Sequence, residues 1–117
     1  MPLDNPISGG NWITPTLGSV WAPYGAPFDV PSYRKDSMGI VTLRGGVSWV
    51  VGANNVIFTL PTGFRPTALK RFVVNAADST QALGISMIEV RVSGQVWWGI
   101  YGSFHFIALD QVSFTTY

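Results

Sequence analysis

The sequence predicts an all-β domain, an antiparallel β-sandwich or jelly roll, on three observations. Thirteen glycines and eight prolines are spread along 117 residues and cut the chain into short segments. Between these breaks, apolar and polar residues alternate with the period of a strand, most cleanly over residues 83–92. No stretch carries a helical period, and Pro15, Pro23, Pro27 and Pro31 exclude a long helix from the first third.

Residues 1–11, ending in Ser8-Gly9-Gly10-Asn11, read as a lead-in arm or linker, and 12–117 as the sandwich. Residues 28–35 are a candidate strand. Asp36-Ser37-Met38-Gly39 follows as a type I turn, with Asp at its first position and Gly at its last. Residues 40–44 return as a strand with Val41 and Leu43 on one face and Thr42 and Arg44 on the other. Gly45-Gly46 bends the chain into a strand over 47–51. A turn at 52–55 leads to a strand over 56–60, with Val56, Phe58 and Leu60 facing one way. Residues 61–66 form a rigid corner, since Pro61 and Pro66 lack amide donors. Residues 72–74 make the next strand and 78–81 its exposed loop. In 83–92, Ile88, Val90 and Val92 face inward and Met87, Glu89 and Arg91 outward. A two-residue turn at Ser93-Gly94 connects to a strand over 95–101, and a final strand starts near Phe104 or Ile107 and ends at Phe114.

Charge is scarce. Asp, Glu, Lys and Arg make up 11% of residues, against about 25% in an ordinary soluble domain. Apolar residues reach 47% and mean hydropathy is positive. Such a chain is expected to bury part of its apolar surface against copies of itself. The net charge of +1, with only Arg34-Lys35 and Lys70-Arg71 as adjacent basic pairs, gives no footprint for nucleic acid. No run approaches the roughly 18 apolar residues needed for a membrane span, so no membrane insertion is expected. Cysteine is absent, which excludes disulfides, thiolate metal sites and a Cys nucleophile.

Four segments carry a family likeness. Residues 33–45 (YRKDSMGIVTLRG), 57–66 (IFTLPTGFRP), 12–21 (WITPTLGSVW) and 109–114 (LDQVSF) resemble, in order, segments of phage tail-fibre and receptor-binding tip domains. Val20 stands where that group often has Gly, and Gln111 replaces a Gly of the last segment. The resemblance spans 12–114. It implies a jelly-roll sandwich, assembly as a homotrimer, a place on the virion, contact with other virion structural proteins, and a host cell-surface polysaccharide or receptor as partner.

Catalysis has little to work with. There is one histidine, one glutamate and five aspartates scattered over distant loops, whereas a glycosidase needs a carboxylate pair at a set separation. Asp36 reads as a turn cap and Glu89 as a charge paired with a neighbouring strand. His105 reads as structural or interfacial, although three copies around a trimer axis would suit a metal or anion. No catalytic residue, resident metal or cofactor is therefore expected. Aromatic residues remain, at 14% of the chain. Sugars lay their C–H faces on exposed rings, so Trp49, Trp97 and Tyr101 are the ligand-binding candidates, with core or subunit packing as the competing role for each. Trp12 and Trp21 read as packing residues, and Arg44 and Arg65 as donors to loop carbonyls. The expected function is a non-enzymatic host-recognition tip. A head-fibre or capsid decoration protein without receptor binding is the alternative, which the low charge, arm-like start and short length also suit.

Overall fold

The computed structural model describes residues 11–50, 55–80, 82–99 and 104–117. None of these is helical. They form ten strands: β1 (Trp21–Pro23), β2 (Ser32–Lys35), β3 (Ile40–Arg44), β4 (Gly46–Trp49), β5 (Val56–Thr59), β6 (Lys70–Ala77), β7 (Leu83–Val90), β8 (Gln95–Gly99), β9 (Phe106–Ala108) and β10 (Ser113–Thr115). All pairings are antiparallel. A seven-stranded sheet runs β1-β4-β9-β6-β7-β8-β5, and a three-stranded sheet runs β10-β3-β2. The all-β antiparallel class is as the sequence predicts.

The core lies between the two sheets and follows from alternation. Tyr33, Val41, Leu43 and Phe114 of the small sheet join one buried cluster with Val47, Val74, Ile88, Val90, Val96 and Ile107 of the large one. Trp98 also points inward, edge-on to Trp21 at 5.5 Å. An indole N–H in such a place needs an acceptor. Ser86 supplies it: Trp98 Nε1 donates to Ser86 Oγ at 2.8 Å, and that hydroxyl donates onward to the Gly99 carbonyl at 3.2 Å.

The chain crosses between sheets at Gly45, which follows β3 and precedes β4. Its φ of +100° suits only glycine, and an added Cβ would lie 2.7 Å from the Asp29 carbonyl oxygen and from Pro31. Its N–H donates to Asp110 Oδ1 at 2.9 Å, and its carbonyl accepts from the Leu109 N–H at 2.8 Å. The bend out of β3 is thereby tied to the turn that leads into β10.

Several strands differ from their sequence-based outlines. The strand expected over 28–35 begins only at Ser32, because Pro27 and Pro31 have no amide to donate. The strand over 56–60 is bulged between Val56 and Phe58, which turns both Ile57 and Phe58 into the core and breaks simple alternation. The β7–β8 loop has three residues rather than two. Gly94 at φ +92° closes it by donating to the Arg91 carbonyl, and Val92, expected inward, sits exposed on the loop. Turn 36–39 is built the same way, with Gly39 at φ +83° and the Asp36 carboxylate accepting from the Met38 and Ile40 N–H groups. The single final strand is two, β9 and β10, in different sheets with a turn at Leu109 and Val112 between them. The arm at 1–10 and most of the turn at 52–55 fall outside the described residues.

Two outcomes follow from these contacts. Ser86→Ala leaves the buried Trp98 N–H without an acceptor and is expected to cost about 1–3 kcal/mol in chemical denaturation. Asp78 accepts from the Thr80 hydroxyl, the Ala82 N–H and the Thr80 N–H, and these bonds hold its carboxyl below the usual value. A depressed carboxyl stabilises the fold above its unfolded pKa and loses that contribution as pH falls through the folded one. The protection of the Thr80 and Ala82 amides, measured relative to their intrinsic exchange rates at each pH, is therefore expected to fall selectively in acid.

Candidate functional site

Two surfaces gather side chains with binding chemistry. The first is the outer face of β6, β7 and β8. Register puts Arg71 across from Glu89, and Glu89 across from Trp97. Glu89 accepts from Arg71 Nε at 2.9 Å and from Arg91 Nη2 at 3.3 Å. The Arg91 guanidinium lies 3.8 Å from the centre of the Trp97 ring, and Trp97 Nε1 donates to Gln95 Oε1 at 3.1 Å. Trp97 thus points away from the core, as one side of the two-residue alternation required. A cation occupies its ring and a neighbouring amide takes its N–H, so the indole is a braced element of a charged ladder.

The other ring candidates separate. Trp49, at the end of β4, packs against the main core cluster, and its backbone N–H donates to the His105 carbonyl at 3.0 Å. It and Trp97 lie on opposite faces of the large sheet. Tyr101 is outside the described residues. Trp21 is buried in the core, while Trp12 lies over the outer face of the small sheet, with Arg44 at 4.1 Å and Arg34 at 4.6 Å from its ring. Arg65 Nε donates to the Leu60 carbonyl at 2.9 Å, and Arg44 Nε to the Ser32 hydroxyl at 2.9 Å.

Four of the carboxylates are taken up by the fold. Asp36 and Asp78 organise turns, Asp110 receives the Gly45 N–H, and Glu89 is held between two arginines. His105 is exposed and joins β9 to its neighbours only through its backbone. Among the described residues no group of three potential metal ligands comes together.

The second surface was not visible in any aromatic count. Each sheet has two edge strands, β1 and β5 in the large one and β10 and β2 in the small one, and residues 13–18 bridge β2 to β5. Ile13 exchanges both backbone bonds with Tyr33, at 2.8 and 3.0 Å, and the Gly18 N–H donates to the Ile57 carbonyl at 2.7 Å. An added Cβ on Gly18 would come within 2.6 Å of the Val56 carbonyl oxygen, so the strap lies directly on β5. Between its two ends Pro15 has no amide to donate, and the backbone bows instead of laddering. The bow borders an open cleft of about 450 Å³ lined by Thr14, Pro15, Thr16, Tyr33, Phe58, Thr59 and Pro61. Tyr33 stacks on Phe58 at 6.1 Å and meets Phe64 edge-on at 5.3 Å, which fixes its ring. Burial pushes its phenol above the usual pKa, so it remains a neutral donor and acceptor.

No protein-family model and no curated protein sequence matches the chain. The fold does match a solved structure, the crystal structure of the receptor binding protein (gp15) of Listeria phage PSA. The TM-score is 0.73 at 21% identity, over 93% of this chain and 66% of that one. The four segments quoted from the sequence are the strap, the β2–β3 hairpin, β5 with its corner, and the turn into β10. The likeness they carry to a phage receptor-binding domain is therefore borne out at the level of the fold.

Proposed function

We propose that this domain is a non-enzymatic host-recognition module of a phage virion, binding a surface glycan or another envelope receptor. The observation that carries the reading is the fold match to a phage receptor binding protein over nearly the whole chain. The engagement of Glu89, Asp36, Asp78 and Asp110 in turns and ion pairs supports a role without catalysis. Fluorescently labelled protein is expected to adhere saturably to cells of some strains in a bacterial panel. Capture by purified phage capsids with no adhesion to any cell would replace this reading with capsid decoration.

The module acts as a homotrimer in this reading. Scarce charge supports self-association, and so does the apolar end of the outer sheet face. Leu83 is 88% exposed, and Val73 and Ile85 are each 64% exposed. With Met87 opposite Val73 they form one apolar band across β6 and β7, around a hollow of about 320 Å³. Sister chains covering this band would multiply weak single sites. Light scattering is expected to give about three chains per particle, and Ile85→Lys to reduce it to one. A wild-type mass of one chain at high concentration would remove the trimer.

A further inference from the structure

We propose that the cleft under the 13–18 strap binds one uncharged sugar ring of the host envelope, a narrower claim that rests on the host-recognition reading. Three features of the cleft point to this chemistry. Its volume, about 450 Å³, falls toward the small end of the roughly 300–1,000 Å³ usual for small-molecule sites. Its lining includes no Asp, Glu, Lys, Arg or His, so a phosphate, a carboxylate or an amine would find no counter-charge. Its polar side chains are all hydroxyls, from Thr14, Thr16, Tyr33 and Thr59, set beside the apolar surfaces of Pro15, Val56, Phe58 and Pro61. A pyranose has the matching surface, hydroxyls around the rim and C–H groups on the faces.

The hydroxyls themselves are open to a ligand. Elsewhere in the domain Ser32, Thr42, Ser86, Thr80 and Thr116 make intramolecular hydrogen bonds. Those of the cleft make none among the described residues. Tyr33 matters most, because it is only 6% exposed and its ring is locked between Phe58 and Phe64. Among the described residues no fully buried side-chain N or O lacks a partner. The phenol oxygen is therefore the part of Tyr33 that reaches the cleft, where it finds a partner only in whatever fills it. Phenylalanine would serve the core as well; tyrosine adds a donor and acceptor at the cleft floor.

The test uses the full chain. Titration with methyl glucoside, methyl galactoside, N-acetylglucosamine and rhamnose, followed by NMR, is expected to shift Thr14, Thr16, Tyr33 and Thr59 signals for at least one sugar. Glucose 1-phosphate, as the charged control, is expected to bind more weakly than its neutral counterpart. Tyr33→Phe and Thr59→Val each remove one hydroxyl and are expected to weaken the best sugar about five-fold. Because neither hydroxyl has an internal partner, thermal midpoints are expected to stay level, which separates lost binding from lost fold. If no neutral sugar perturbs the cleft, or the perturbations centre on Trp97, the proposal fails. Cell adhesion that both variants retain in full also overturns the cleft while leaving host recognition standing. Sugar binding at the cleft without adhesion to any cell supports the cleft and removes host recognition instead.

Discussion

Closure of one edge from each sheet by a single short segment is the constraint on which the rest of this structure depends. An edge strand presents unpaired N–H and C=O groups, a template for any passing chain. Here β2 and β5 are both edges, and one short segment satisfies both, through Ile13 at one end and Gly18 at the other. Had the segment been a regular strand it would have zipped along one edge and left the other open. Pro15 prevents this, and the same bow that spans the gap leaves space below it. The cleft is thus a by-product of how the sandwich is sealed. Leu17, packed against the core beside it, anchors the seal.

The large sheet shows how alternation distributes two kinds of surface. Its inner face is mostly apolar, with Ser86 placed there to take the Trp98 N–H, while its outer face is divided along β6 and β7. One end carries Arg71, Glu89 and Arg91 around Trp97, and the other carries Val73, Ile85 and Leu83. The exposed ion pairs at the charged end add at most modest stability, since water screens them. Their effect is to hold the arginine on the indole and to keep that end wet. Among the described residues the apolar end has no such cover.

Sequence periodicity was informative where one face of a strand is buried over five or more residues. β3, β7 and β8 were legible for that reason, as was turn 36–39, whose Asp and Gly have distinct tasks. β1, β9 and β10 have three residues each, too few to show a period, and the split of the last segment depends on a sheet change that only long-range packing dictates. The bulge in β5 hid a second buried residue from simple alternation. Site residues followed a similar rule. Large rings attract attention in a sequence, yet Trp49 serves the core edge and Trp97 is braced by its neighbours. Three threonines and one tyrosine, separated by up to 45 positions between Thr14 and Thr59, have no signature until the strap brings them together. Arg65 was readable because a corner with two prolines leaves carbonyls in need of a donor, and it donates to Leu60.

The three-stranded sheet joins a hairpin from the first half of the chain to β10 at its end, with the strap added along β2. Until residues 113–115 are available to pair with β3, Val41 and Leu43 lack the neighbour that completes their side of the core. Completion of this flank therefore waits on a strand about 70 positions downstream rather than on stepwise accretion along the chain.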